Sequence, residues 1–107
     1  MQTYQPGDDW SILGDRTRRA IVEHLAVAPL AVGELADLLP VSRPAVSQHL
    51  KILKDAGLVI ERAAGARRIY RLDPAGVAAL RDQLDTFWSR TLAGYGATID
   101  LSTEETK

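Results

Sequence analysis

Apolar residues recur along this chain at the spacing of α-helices, and residues that favour helix ends separate the apolar segments. The pattern predicts three short helices, at about residues 8–14, 15–28 and 31–39. Pro29 and Pro40 end the second and third of them, because proline cannot continue a helix. Helices this short are unstable alone, so we expect them to pack against one another.

A fourth helix is predicted from about Arg43 to Ala56, with Ser42 as its N-cap and Gly57 as a left-handed stop. One narrow stripe of this helix is apolar and consists of Val46, Leu50 and Leu53. The opposite face carries Arg43, Pro44, Ser47, Gln48, Lys51, Lys54 and Asp55. The helix is therefore expected to pack on one side and to expose a polar surface on the other.

Two segments rich in β-branched residues follow, at 58–62 and 67–72, and a glycine-containing turn joins them. This pattern predicts a β-hairpin. Asp73 and Pro74 then open a last helix of about 20 residues. Its apolar stripe is broader than one core contact requires, which indicates a second packing partner. The stripe comprises Val77, Leu80, Leu84, Phe87, Trp88, Leu92 and Tyr95.

The chain has 107 residues, of which 46% are hydrophobic and 25% charged, as in one small globular domain. We place this domain at residues 8–98 and expect flexible termini at 1–7 and 99–107. Cysteine is absent and only two histidines occur, which argues against disulfides, thiolate metal sites and cysteine catalysis. No apolar run approaches the length of a membrane span, and the start does not resemble a signal peptide, so we expect a cytoplasmic protein.

The formal net charge is only −1, but the charge is unevenly distributed. Residues 42–72 hold seven basic and two acidic side chains, a net charge of +5, whereas the segments before and after each carry −3. A local basic block of this kind matters more for polyanion binding than the total charge does.

The third and fourth helices form a helix-turn-helix pattern, and the hairpin makes it a winged one. The predicted fold is therefore mainly α with a small β-hairpin, a winged helix-turn-helix of five helices. On the fourth helix, Arg43 has the donors to read guanine, Gln48 those to read adenine, and Ser47 suits base or phosphate. Pro44 lacks a donor and is limited to sugar or a thymine methyl. Phosphate contacts suit the remaining cations, Lys51 on the helix and Arg62, Arg67 and Arg68 on the wing.

Several of these side chains also have ordinary structural explanations. Ser42 is first a helix cap, although its remaining lone pair leaves room for a DNA contact. His49 lies at the edge of the apolar stripe, so it is either a partly buried histidine bonded to backbone or a DNA contact. Arg67 and Arg68 either keep an exposed hairpin soluble or contact phosphate or the minor groove, and the neighbouring helix favours the DNA contact.

The segment LPVSRPAVSQHLKILKDAGLV at 39–59 resembles the recognition helix of the ArsR/SmtB family of bacterial winged-helix repressors. LGDRTRRAIV at 13–22 is similar to the family's second helix, and GARRIYRL at 65–72 is similar to its wing. The resemblance extends over about residues 8–98. It implies a homodimer on an imperfect palindrome, with an interface built largely by the first and last helices. That interface would include Trp10, Leu84, Phe87, Trp88, Leu92 and Tyr95.

The chain departs from the metal-sensing members of this family. Residues 31–33 are Ala-Val-Gly where those members commonly carry Cys-Val-Cys, and residues 73–107 contain no histidine. Tight zinc-class sites need thiolate or imidazole ligands, so we expect no metal or other cofactor. The chain thus resembles the metal-independent branch, and its sequence identifies no small-molecule inducer.

These observations predict a sequence-specific, DNA-binding transcriptional regulator that acts as a repressor, with its own gene as a candidate target. No phosphate-binding loop, nucleophile elbow or paired carboxylates indicate an enzyme. The alternative is a winged-helix module that binds protein instead of DNA. Such a module should expose apolar anchors on its fourth helix, whereas this helix exposes polar side chains.

Overall fold

A computed structural model describes residues 11–95 of the chain. Within this range four α-helices accompany a three-stranded antiparallel sheet with strand order β1-β3-β2. The helices are α1 (Arg16–Val27), α2 (Val32–Leu38), α3 (Arg43–Asp55) and α4 (Pro74–Gly94). The strands are β1 (Leu30–Ala31), β2 (Val59–Ala64) and β3 (Arg67–Leu72). The mainly helical, winged architecture expected from the sequence is therefore confirmed.

The expectation of five helices is wrong for the described residues. Where the first helix was predicted to end, residues 11–14 form a single 3₁₀ turn. The backbone N–H of Asp15 donates to the carbonyl of Ile12 at 3.4 Å, and Asp15 itself is extended because it is the N-cap of α1. That extended residue breaks any continuous helix into α1. Trp10 and the acidic residues before it lie outside the described range.

The sheet contains a strand that the sequence pattern did not predict. Leu30 pairs with Tyr70 and Ala31 pairs with Ile69, so the two-residue β1 lies on the other side of β3 from β2. A two-residue strand is too short for any apolar alternation to reveal it. Its effect is to fasten the β3 side of the hairpin to the segment between α1 and α2.

Side-chain caps set the starts of three helices at the positions that the sequence predicted. The carboxylate of Asp15 accepts from the backbone N–H of Arg18 at 3.0 Å. Ser42 Oγ accepts from Ala45 at 3.2 Å, and Asp73 accepts from Ala75 at 3.1 Å. Each bond satisfies a backbone donor that the first helical turn leaves without a partner.

The end of α3 is a complete Schellman motif. The backbone N–H of Leu58 donates to Leu53 at 3.0 Å, and that of Gly57 donates to Lys54 at 2.9 Å. Gly57 has φ of 83°, a left-handed conformation that glycine adopts without a Cβ clash. The chain thereby turns sharply from α3 into β2.

Helix α4 begins against this same turn. The backbone N–H of Asp73 donates to the carbonyl of Leu58 at 2.9 Å. One turn further on, Gly76 lies so close to Gly57 that a Cβ on Gly76 would collide with the Gly57 carbonyl. The start of α4 and the end of α3 are therefore joined backbone to backbone.

The core lies between α1, α2, α3 and the base of the hairpin. The stripe predicted on α3 is buried, with Leu50 only 1% exposed and Val46 and Leu53 fully covered. It packs in one cluster whose other members are Ile12, Ile21, Leu25, Leu35, Leu58 and Val59. Burial of apolar side chains at about 1.5–3 kcal/mol each is the main force that holds α3 in place.

Candidate nucleic-acid interface

The face of α3 opposite the core is exposed along its length. Ser42 and Pro44 lie at its start, where the serine is occupied as the N-cap. The structure also exposes the four side chains predicted to meet base edges or phosphate, Arg43, Ser47, Gln48 and Lys51. A rigid helix with donors on its free face has the form and chemistry of a major-groove reader.

Arg43 folds back over α2. Its guanidinium carbon lies 3.5 Å from the position that a Cβ on Gly33 would occupy, which is ordinary van der Waals contact. Between α2, α3 and the wing runs a groove of about 680 Å³. Its charged lining residues are Glu34, Asp37, Arg43, Arg67 and Arg68.

His49 is half-buried and has a partner within the chain. Its Nδ1 lies 3.2 Å from a guanidinium nitrogen of Arg18, which also donates through Nε to the carbonyl of Ile12 at 3.1 Å. Because the guanidinium can only donate, Nδ1 accepts and Nε2 carries the proton of the neutral ring. His49 therefore contributes to the contact between α1 and α3.

Asp15 completes this contact. Its carboxylate lies 4.0 Å from the Arg18 guanidinium. The hydrogen bond from the backbone N–H of Arg18 is the main factor that lowers the pKa of Asp15, and the charge of Arg18 lowers it further. The pair gives the Arg18 cation in the first turn of α1 an acidic partner on the N-cap residue.

The three wing arginines, Arg62, Arg67 and Arg68, are exposed on the hairpin. Strands β2 and β3 pair as far as Ala64 and Arg67, which leaves a two-residue turn with Gly65 at φ of 66°. Two-residue hairpin turns favour such positive φ values, which match the twist of the strands. The first strand therefore ends two residues closer to the turn than the sequence predicted, at Ala64 instead of Arg62.

Two carboxylates hold wing arginines in the free protein. Arg67 lies 3.1 Å from Glu34 of α2, and Arg68 pairs with Glu61 of β2. A hydrogen bond from the backbone N–H of Ala31 lowers the pKa of Glu34, with a further contribution from Arg67. Both glutamates are thus held as anions beside cations that face the groove.

These glutamates were not singled out from the sequence. Glu34 stands three residues after Ala31, the position from which a side chain reaches back to the helix start, and it accepts from Ala31 at 2.7 Å. Glu61 pairs with Tyr70 across the hairpin, a register that follows once the turn is known to have two residues. Turn length was therefore the missing signal.

Helix α4 has no buried residue. Along one side of it, Trp88 is 52% exposed and Tyr95 68% exposed, and Phe87 packs edge-on against Trp88 with ring centroids 5.2 Å apart. Leu84 belongs to the same exposed side, while Leu92 is half-buried. Trp10, the sixth residue expected at a dimer interface, lies outside the described residues.

Among residues 11–95, no group of three or more His, Asp or Glu side chains converges as a metal site would require. In the same range no helix is long and apolar enough to cross a membrane.

A buried stripe that fixes α3, a polar free face and an arginine-bearing hairpin define a winged helix-turn-helix DNA-binding regulator. Residues 15–61 match the family model described as bacterial regulatory protein, arsR family. The chain is 63% identical over 107 residues to the HTH-type transcriptional regulator Rv2034 of Mycobacterium tuberculosis, covering 99% of this chain and 100% of that protein. The chain belongs to the ArsR family.

Other known proteins agree with this assignment. The chain is 36% identical over 80 residues to the arsenical resistance operon repressor of Escherichia coli, which covers 74% of this chain and 68% of that protein. The crystal structure of a possible transcriptional regulator for arsenical resistance superposes with a TM-score of 0.72 at 43% identity. That superposition covers 81% of this chain and 95% of the solved one.

Proposed function

We propose that this chain is a homodimeric transcriptional repressor that binds an imperfect palindrome in double-stranded DNA. The observation that supports it best is the combination, on one chain, of an exposed polar face on α3 and an uncovered apolar face on α4. The first face suits the major groove, and the second suits another copy of the same helix. The family match supports DNA as the partner of the α3 face.

In this proposal α3 reads bases and the wing holds the backbone. Arg43 donates to guanine, Gln48 pairs with adenine, and Ser47 contacts a base or phosphate. Pro44 touches sugar or a thymine methyl group, and Lys51 together with Arg62, Arg67 and Arg68 binds phosphate. Ser42 and His49 contact DNA only with the atoms that their structural bonds leave free.

The dimer would place two copies of α3 about one helical turn of DNA apart, roughly 34 Å, on successive half-sites. Its interface would be the exposed side of α4, with Leu84, Phe87, Trp88, Leu92 and Tyr95, and Trp10 near the start of the chain. Trp and Tyr are the residues that contribute most at such interfaces.

Repression is proposed because the arsenical resistance operon repressor, which aligns with 74% of this chain, is named a repressor. We further propose that the protein acts by binding and not by catalysis, without a resident metal or cofactor, and in the cytoplasm where bacterial DNA lies. Its own gene and neighbouring genes are the targets to test first.

A mobility-shift titration with the DNA upstream of its own gene, with and without Zn²⁺, tests the function. We expect a complex whose affinity falls steeply with salt, since each neutralised phosphate releases counterions. A competing random duplex should displace the protein only at much higher concentration. Equal affinity for cognate and random DNA would contradict sequence-specific regulation, and loss of the complex on adding Zn²⁺ would contradict metal independence.

Replacing Arg43 or Gln48 with alanine should weaken cognate binding by about 1–3 kcal/mol and relax base preference at the positions they read. The physical reason is that each loses a two-bond contact to one base edge. Affinities for a set of single-base operator variants, measured by fluorescence anisotropy, check this result.

Arg67→Ala should instead weaken all duplexes alike and reduce the salt slope by about 1, because a phosphate contact carries no sequence information. Arg90→Ala is a matched control, since it removes the same charge from an exposed position on α4. If the α3 variants lose affinity equally on cognate and random DNA, the assigned reading roles are wrong.

A further inference from the structure

Glu61 occupies the point at which the wing leaves the body of the protein. The residues of β2 become progressively less buried, from a buried Val59 to a half-buried Glu61, and Arg62 and all that follow on the strand are exposed. The Glu61 side chain is only 17% exposed, in contrast to the 64% of Asp55 in its pair with Lys51.

Both oxygens of this carboxylate are engaged, and by different elements. Oε1 accepts from Nζ of Lys54 on α3 at 3.2 Å, and Oε2 accepts from Arg68 on β3. The carboxylate thus joins the reading helix to both strands of the wing. Each bond is charge-assisted, and bonds of that kind are stronger than neutral ones.

A third group lies beside it. Tyr70 is opposite Glu61 across the two strands, on the same face of the hairpin. Burial raises the pKa of the Tyr70 hydroxyl, and the nearby Glu61 carboxylate raises it further. Hydrogen bonding from Lys54 is the main factor that lowers the pKa of Glu61, with a contribution from Tyr70.

The other ion pairs near the interface do not form such a junction. Lys51 and Asp55 lie on the same helix, one turn apart, and both are largely exposed. Arg67 and Glu34 connect the wing to α2, but about half of each side chain is exposed. Solvent screens exposed pairs. The Glu61 pairs differ in their carboxylate, which is 17% exposed, whereas Lys54 and Arg68 are 49% and 64% exposed.

We propose that Glu61 is a positioning residue, whose carboxylate fixes the orientation of the wing relative to α3 by holding Lys54 and Arg68 together. It repels phosphate and so does not bind DNA itself; its effect is to place Arg67 and Arg68 on the backbone while α3 is in the major groove. This inference rests on the proposed DNA-binding function and adds to it a determinant of specificity.

The test uses the full chain, a duplex selected from a random library for tight binding, and a scrambled duplex of the same length. Glu61→Gln removes a charge and loosens the junction but, unlike Arg67→Ala, keeps both wing arginines. On the scrambled duplex these arginines can meet phosphate in any orientation of the wing, so that affinity should not fall. On the selected duplex the base contacts fix α3, so a misplaced wing should lower the affinity. The ratio of the two affinities should drop about tenfold, the effect of losing one charge-assisted hydrogen bond.

Asp55→Asn is the matched control, since it also removes one negative charge near the end of α3 but leaves the junction intact. It should raise both affinities together and keep their ratio. Tyr70→Phe alters the junction without any change in charge and should lower the ratio by about threefold. If Glu61→Gln melts without a cooperative transition and is therefore not folded, the affinity ratio of Tyr70→Phe tests the proposal.

Hydroxyl-radical footprints give a second readout, which a general loss of stability would not reproduce. Protection under α3 should persist in Glu61→Gln, while protection at the flanks, where the wing lies, should weaken. Unchanged protection at the flanks would overturn the inference. So would a ratio of selected to scrambled affinity that equals the wild-type ratio in both Glu61→Gln and Tyr70→Phe. Failure of the wild type to prefer any selected duplex would instead contradict the proposed function.

Discussion

Trp88→Asp is expected to sediment as a monomer at concentrations where the wild type is a dimer. Trp88 is half-exposed on a helix with no buried residue, and in the proposed dimer a second chain covers it. Truncating a tryptophan at such a site costs about 2–4 kcal/mol, which corresponds to a dimer dissociation constant weakened about 30- to 1,000-fold. Sedimentation equilibrium measures this constant directly, and palindrome affinity should fall with it.

Thr86→Asp is the matched control for this variant. Thr86 is exposed on the same helix, two residues earlier and therefore about 200° around its axis from Trp88. It introduces the same charge on the side away from the apolar stripe and should leave the dimer unchanged. A Trp88→Asp dimer as tight as the wild type would place the interface elsewhere on the molecule.

Gly76→Ala is expected to destabilise the fold by an amount at the upper end of about 1–3 kcal/mol. An added Cβ would collide with the Gly57 carbonyl, a backbone atom that cannot rotate away, so α4 must shift from the turn after α3. Alanine normally favours a helix over glycine, so the sign of the effect is opposite to that of helix propensity. Thermal unfolding should show a melting temperature lowered by about 10–20 °C.

Gly94→Ala provides the comparison within the same helix. No atom lies within 4 Å of the position that its Cβ would take, so this substitution should be neutral or slightly stabilising. If both variants melt at the wild-type temperature, the close approach of α4 to Gly57 does not exist in solution.

Much of this fold is predictable from local chemistry. Ser42 and Asp73 mark helix starts because a side-chain oxygen is needed there, and Gly57 marks a stop because the φ of 83° excludes most other residues. The polar face of α3 follows from its helical period alone, since Val46 and Leu50 must be buried on the opposite side. These signals act within one turn of helix, which is why they can be read directly from the sequence.

The features that the sequence did not reveal depend on contacts between distant segments. The pairing of Leu30 with Tyr70 joins residues 40 positions apart, and nothing local to either one indicates it. The same holds for His49, whose partner Arg18 comes from α1. The two alternatives for His49, a backbone bond or a DNA contact, did not include this side-chain partner. Apolar periodicity identifies a face but not the particular residue that meets it.

The contact between Gly76 and Gly57 joins α3, whose polar face is proposed to bind DNA, to α4, whose apolar face is proposed to form the dimer. In the proposed dimer, main-chain geometry then sets the distance between the two copies of α3. Most surface substitutions would leave that distance unchanged. Paralogues could diversify the bases they prefer by exchanging side chains on α3 while keeping one operator spacing. A change of spacing would require remodelling at this glycine pair.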